Sequence, residues 1–270
     1  MDVITHTSLS VNNPAALTPR NGEGYIKVPR HVAIIMDGNN RWSRKHGKPR
    51  LSGHKAGVEA VKRVLESCRD YGIETLTLFT FSSENWKRPS GEVRGLMNLF
   101  LHALRDTEVE RLRQQGIRLK VIGDLDRFSA PLRKKIYAAE RKTASNQAVT
   151  LVVAASYGGR WDITEAARRL AYKVREGVLE PEAISAELLE KNLATGGMAP
   201  PDLLIRTSGE CRISNFLLWQ CAYAEFYFTD VLWPDFGHDE FAKAVQSYSQ
   251  RQRRFGCTHL QVGTQADVSY

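Results

Sequence analysis

The run at residues 32–36, Val-Ala-Ile-Ile-Met, is short, apolar and rich in β-branched side chains, and it stops abruptly at Asp37-Gly38. It is too short for a helix and lacks polar alternation, so it reads as a strand buried on both faces. The pattern recurs. Residues 75–81 (TLTLFTF), 118–122, 149–154 and 202–205 are further strand-like runs, most of them closed by a polar or glycine-bearing turn, with stretches of helical periodicity between them. This alternation predicts an α/β fold with a mostly parallel central sheet covered by helices.

Between the first two runs, Ser52 can cap a helix that carries Gly57, Val61, Val64, Leu65 and Cys68 on one face and ends near Gly72. Residues 90–115 predict one long amphipathic helix, with Val93, Leu96, Met97, Phe100, Leu101 and Leu104 at helical spacing. Its wide apolar face suits core packing or the wall of an elongated apolar cavity. Further helices are predicted at 129–143, 162–176, 181–193 and 238–255. Residues 1–24, rich in Thr, Ser, Asn, Pro and Gly, predict a loosely ordered arm, 25–257 a single domain and 258–270 a flexible tail.

The chemistry gathers where strands end, as it does in open α/β sheets. Asp37 is a hard oxygen donor suited to Mg²⁺. Gly38 permits close backbone approach, the amides of Asn39, Asn40 and Arg41 can face an anion, and Arg41 and Arg50 supply forked donors for phosphate. His54 falls in the first turn of the next helix, facing the same place. Taken alone, residues 31–50 fit a turn and a solvated basic loop equally well. A second polar loop, 82–89, follows the second strand, and a third, with Arg206, Thr207, Ser208, Gly209, Glu210, Arg212 and Ser214, follows the last. Glu225 interrupts the aromatic run 216–228, where a carboxylate needs either an ion-pair partner or a metal.

Composition narrows the classes. A chain of 270 residues with 42% hydrophobic content can bury a core, and 38 basic against 30 acidic side chains give +8, compatible with nucleic acid, an anionic membrane or phosphorylated small molecules. The four cysteines form no C-x-x-C pair, which predicts a reducing compartment. No secretory leader is evident, no apolar run nears the ~20 residues that span a bilayer, and no P-loop motif occurs. The expectation is a cytoplasmic protein, with peripheral attachment to the inner face of the plasma membrane left open. Lys and Arg between residues 41 and 63, with Trp42 and Trp86, allow an RNA-binding reading, but the charges sit in strand-end loops rather than a long stripe, so no nucleic acid partner is expected.

The ordered blocks HVAIIMDGNNRW, GHKAG, FSSENWKRP, YGGRWDI, RTSGECRISNFLLWQ and FTDVLWPDF resemble the bacterial undecaprenyl diphosphate synthases, a family of cis-prenyltransferases, across residues 31–256. The resemblance implies a parallel sheet with a hydrophobic tunnel, a homodimer, Mg²⁺, and extension of farnesyl diphosphate by isopentenyl diphosphate to a long, undecaprenyl-type product, with other product lengths left open. It implies Asp37 at the metal and the allylic diphosphate, which Gly38, Asn39, Asn40, Arg41, Arg50 and His54 would hold. Trp42, Ser82, Ser83, Glu84, Trp86 and Arg88 fall in its substrate-contacting set. Arg206, Arg212, Ile213 and Ser214 match an isopentenyl diphosphate site expected to lie away from Asp37, and Glu225 matches a metal-associated carboxylate, with a reach into the partner protomer as one option. Asn85 has the family's proton-accepting role, but a neutral amide is a poor base, so orientation or relay, with the departing diphosphate taking the proton, is the better chemistry. Two departures stand out. Asn40 replaces a glycine, which Asn's tolerance of positive φ would accommodate, and Ser208-Gly209 replaces Gly-Gly, with Cys211 where a metal-ligating side chain can stand.

Overall fold

The computed structural model describes residues 16–19 and 25–251. Strands β1 (Ala16–Pro19) and β2 (Tyr25–Val28) form a small antiparallel ribbon. Part of the segment read as an arm is therefore a paired strand; the rest of 1–24 and the tail 258–270 lie outside the described residues.

The main sheet contains β3 (His31–Ile35), β4 (Thr75–Ser82), β5 (Ile117–Ile122), β6 (Val149–Tyr157), β7 (Leu203–Arg206) and β8 (Glu225–Phe228). Its spatial order is β5-β6-β4-β3-β7-β8 and every pairing is parallel. Alternate side chains feed two separate cores. Val32, Ile34, Leu151, Val153, Leu203 and Ile205 join one, whereas Ala33, Ile35, Val152, Ala154 and Leu204 join the other with Phe216 and Leu217. Burial on both faces is why these strands read as continuous apolar runs.

The helices are α1 (Asn39–Lys45), α2 (Leu51–Asp70), α3 (Ser90–Ala103), α4 (Asp106–Gln114), α5 (Ala130–Thr143), α6 (Gly159–Arg175), α7 (Ala186–Asn192) and α8 (His238–Ser249). Ser52, read as a cap, lies inside α2, whose N-cap is Arg50. Four further differences from the sequence reading stand out. Residues 39–45 are helical rather than loop, so Asn40 needs no positive φ; that conformation falls on Gly38 (φ 105), Ser208 (φ 77) and Gly209 (φ 79). The helix predicted at 90–115 breaks at Arg105, which is extended, and α4 restarts with Asp106 and Glu108 in its first turn, where acidic side chains favour a helix start. The helix predicted from 181 begins only at Ala186, because the Ser185 hydroxyl accepts the Leu188 N–H and caps it there. The final helix ends at Ser249, with 252–255 outside the described residues. The fourth strand also runs on to Tyr157, since Ala155, Ser156 and Tyr157 are buried.

The chain leaves β3 towards β4 and leaves β7 towards β8, in opposite directions along the sheet. The carboxyl ends of the adjacent strands β3 and β7 therefore flank the topological switch point, where open α/β sheets leave a crevice.

Candidate active site

At that crevice β3 delivers Asp37 and β7 delivers Arg206, because Ile35 and Arg206 are partners in the ladder. Arg206 Nη2 donates to Asp37 Oδ2 at 2.9 Å, and Asp37 Oδ1 accepts the Gly38 N–H at 2.7 Å. The Asp37 backbone is clamped from both sides. Its N–H donates to Thr207 Oγ1 at 3.0 Å, and its carbonyl accepts the Thr207 hydroxyl at 2.7 Å and the Trp233 N–H at 3.0 Å. A side chain at Gly38 would meet Leu232 at 2.9 Å and Ser208 at 3.0 Å, so glycine is required by space as well as by φ.

Arg206 is only 4% exposed. Its Nη1 donates to the Arg212 carbonyl at 2.5 Å and to Ser214 Oγ at 2.7 Å, while its buried Nε has no partner. A buried cation facing one carboxylate and holding an unmet donor is suited to a further anion. Arg41 lies alongside, donating to the Ser208 carbonyl at 2.7 Å and to Ser208 Oγ at 2.5 Å, with Asp37 Oδ1 3.7 Å away.

The loop after β4 supplies a second polar group. Asn85 Oδ1 accepts the Ser82 N–H at 3.0 Å, and the Ser82 side chain accepts the Asn85 N–H in return. The amide oxygen of Asn85 is thus engaged by the backbone. Glu84 is tied to Asn215 Nδ2 at 2.8 Å, which fastens this loop to the one after β7. Arg88 Nη1 donates to Glu92 Oε1 at 3.0 Å, and Arg50 Nη1 lies 3.1 Å from Glu92 Oε2. His54 sits among these charges. Burial, then the nearby Arg88, push its pKa down to about 4 against the pull of Glu92, so it is neutral at pH 7, and its Nε2 is buried without a partner.

These groups head a cavity of about 1340 Å³. Asp37, His54, Asn85, Arg88, Arg206 and Ser214 line its polar end; Leu96, Met97 and Phe100 of α3 and Leu78, Leu119 and Leu151 of the sheet line its body. None of the α3 side chains is fully buried, because the apolar face of that helix looks into this space. A cationic head on a long apolar body fits an amphiphile with an anionic end.

Asn39, Ser82 and Glu84 also line the cavity. Gly38, Arg41, Arg50 and Arg212 are outside its lining: Arg41 lies 3.7 Å from Asp37, Arg50 pairs with Glu92, and Arg212 offers its carbonyl to Arg206 while its guanidinium bonds Glu210 at 2.5 Å. Asn40 holds its Oδ1 buried and unpartnered on α1. Four residues point elsewhere. Trp42 donates to Asp235 at 2.7 Å, Ser83 donates to Glu84, Trp86 packs on Phe81 and Phe128 while donating to Ser156, and Ile213 joins the second core. One expectation is corrected, and another is left to a partner protomer. Arg206 lies against Asp37 rather than apart from it, since β7 pairs directly with β3. Glu225 opens β8 opposite Leu203, at the amino edge of the sheet, where Arg251 Nη1 bonds it at 3.0 Å, so the parallel register keeps it from the Asp37 of its own chain. Glu92 and Asn215 were missed, and Thr207 and Glu210 were read only as members of a polar loop. Only Glu92 had a readable signal, its i+4 spacing from Arg88.

Residues 35–256 match the family model described as putative undecaprenyl diphosphate synthase. The chain is 58% identical over 244 residues to the (2E,6E)-farnesyl-diphosphate-specific ditrans,polycis-undecaprenyl-diphosphate synthase of Pseudomonas aeruginosa, covering 90% of this chain and 97% of that one. To the enzyme of the same description from Escherichia coli K12 it is 54% identical over 229 residues, covering 85% and 90%. Among solved structures it resembles lavandulyl diphosphate synthase from Lavandula x intermedia in complex with dimethylallyl diphosphate, with TM-score 0.82 and 41% identity over 85% of this chain and 98% of that one. It also resembles a probable undecaprenyl diphosphate synthase from Campylobacter jejuni, with TM-score 0.71 and 36% identity over 84% and 98%. With nearly the whole sheet and every strand-end loop inside the match, the chain belongs to the undecaprenyl diphosphate synthase family of prenyltransferases.

Proposed function

We propose that this protein extends farnesyl diphosphate by repeated, Mg²⁺-dependent condensation with isopentenyl diphosphate to undecaprenyl diphosphate. The observation that carries this is the pairing of the Asp37–Arg206 contact, beside unmet donors at a switch point, with an apolar cavity running away from it. The relatives at 52–58% identity share the farnesyl-diphosphate-specific description.

Asp37 fits Mg²⁺ as one hard carboxylate in a half-exposed position. Among the described residues no three His, Cys, Asp or Glu side chains converge, so Asp37 would hold a cation here with water and diphosphate oxygens supplying the remaining ligands. When bound, it neutralises charge that grows on the departing diphosphate. The protein's own part is positional. Arg206, Arg41 and the α1 amides hold one diphosphate, with His54, Arg88 and Arg50 beside it, and Arg212 with Ser214 holds the second. Asn85, its oxygen already engaged, offers its amide N–H₂ and orients substrate, leaving the released diphosphate to accept the proton. The apolar walls exclude water while positive charge develops on the prenyl chain.

The homodimer of this proposal is supported by β8, which pairs with β7 on one side and carries Phe226 and Phe228 stacked 6.1 Å apart, Phe228 being 36% exposed. The first half of the aromatic run, Phe216 and Leu217, is core instead. No described helix is long and apolar enough to cross a membrane, and the lipid product is handed to the bilayer from a peripheral position.

The lavandulyl diphosphate synthase likeness favours one second reading, a prenyl transfer with a different product length. Purified chain with farnesyl diphosphate, labelled isopentenyl diphosphate and Mg²⁺ separates the two by product length. Asp37→Ala should cost at least about a hundredfold in rate, because loss of a few kcal/mol of transition-state stabilisation has that size, and should keep the fold with a lowered melting temperature, because buried Arg206 loses its carboxylate. Mg²⁺-dependent turnover near wild type in that variant would remove Asp37 from the mechanism.

A further inference from the structure

The cavity wall is chemically lopsided. On the sheet side it is made of buried Leu78, Leu119, Leu151 and Ala155, with buried Leu104 at the end of α3. On the opposite side α2 presents Lys55, Glu59, Lys62, Glu66 and Arg69, spaced 4, 3, 4 and 3 residues apart and therefore one stripe of the helix, and all five line the cavity. All but Lys62 are exposed, and Lys62 is partly so. Long charged side chains cover apolar surface with their stems only when their heads reach water, so the cavity borders solvent along this stripe.

Near the polar end the wall is tight. Gly95 of α3 admits Leu51 of α2 so closely that an added side chain would meet it at 2.8 Å, and Glu92 bridges Arg50 and Arg88. Beyond the break at Arg105 the contact changes character. There α4 faces α2 through Glu108, whose Oε2 lies 4.0 Å from Lys62 Nζ, with Glu59 and Arg111 bonding the same pair at 2.9 and 3.0 Å. The Lys62 and Glu108 side chains are 35% and 34% exposed. Parting such a pair costs far less than parting packed leucines, because a half-exposed ion pair is worth little.

We propose that the prenyl chain leaves the cavity sideways, through the seam between α2 and α4, and that the Lys62–Glu108 pair sets how long a chain is retained before it leaves. The inference rests on the cavity holding a growing prenyl chain, as in the function proposed above. A chain that slides out between α2 and α4 need not be drawn back past two diphosphate sites. Lys62 and Glu108 touch neither diphosphate; they are positioning residues, specific for chain length.

The test is a double-mutant cycle on the full chain, with Glu108→Gln, Lys62→Gln and the double variant, using farnesyl diphosphate, labelled isopentenyl diphosphate and Mg²⁺. Product length and the ratio of steady-state turnover to first-turnover rate are read together. Each single variant should release product about two- to fivefold faster relative to chemistry and shift the products shorter by at least one five-carbon unit, with KM for both substrates unchanged. The double variant should match the singles, since the pair acts as a unit. Unaltered product length and release, or effects that simply add, would overturn the seam. A wild-type chain that forms no prenyl product would instead overturn the reaction itself, and the seam with it.

Discussion

Arg206 holds the carboxylate expected to bind metal and also holds Ser214 and the Arg212 carbonyl. On the function proposed above, these contacts would let it serve both diphosphate positions, whereas Arg212, 62% exposed at its side chain and paired with Glu210, would serve one. Arg206→Ala should raise KM for farnesyl and isopentenyl diphosphates together and lower stability, since it leaves Asp37 without its closest cation. Arg212→Ala should weaken isopentenyl diphosphate alone, and lysine should restore either poorly because the fork is lost. Equal loss of both substrates in Arg212→Ala would merge the two positions. A second prediction concerns His31, buried with Nδ1 2.7 Å from the Ala199 carbonyl and Nε2 2.7 Å from Thr77 Oγ1. Burial pushes its pKa down to about 4 from 6.5. Between those values the unfolded chain binds a proton that the native state refuses, so stability rises with pH across the window and is lost as pH falls from 6.5 towards 4. Denaturation at pH 5 should show about 2 kcal/mol less stability than at pH 7 from this residue, and His31→Asn should remove that share while leaving the share of His54, whose pKa burial lowers to about 4 as well; an unchanged slope would show that His31 does not contribute.

The site depends on how closely α1 and α2 approach. An added methyl at Gly53 would lie 1.9 Å from the Asn39 carbonyl, and one at Gly57 would lie 2.6 Å from Asn39 Oδ1, so two glycines one turn apart on α2 seat the start of α1. Ser43 Oγ accepts the Gly53 N–H at 2.7 Å and completes that seat. Gly53→Ala should destabilise by about 2 kcal/mol through overpacking and should misplace Asp37 with it, raising the Mg²⁺ required for turnover. Gly91→Ala on α3, where a methyl would meet nothing within 4 Å, is the control and should be neutral or slightly stabilising in the same denaturant titration. If both substitutions behave alike, close approach is not what seats α1.

For the molecule as a whole, Glu225 and Asp37 lie at opposite edges of one sheet, so any metal role for Glu225 requires the partner copy. Mixed dimers of Asp37→Ala and Glu225→Ala chains, isolated with differential tags, then contain one intact site. They should regain about half of wild-type activity from two nearly inactive parents. Mixed dimers as inactive as their parents would leave Glu225 with the ion pair to Arg251 alone.

Strand-like runs closed by polar loops were enough to determine a parallel α/β sheet and to put Asp37, Arg206 and Ser214 at strand ends, because burial on both faces forces a composition that shows locally. The apolar face of residues 90–104 was readable from its helical spacing, but that it lines a cavity rather than packs in the core was decided by the tertiary structure. What local pattern could not carry was the order of strands. That β7 lies beside β3 brings Arg206 to Asp37 across 169 positions of chain, and that β8 starts at the amino edge sends Glu225 away. Trp42 and Trp86 show the same limit, since a tryptophan has one appearance in sequence whether it faces a substrate, Asp235 or a packed phenylalanine. Side-chain chemistry is local and can be read in order; which chemistries meet is decided by non-local pairing, which only the tertiary structure supplies.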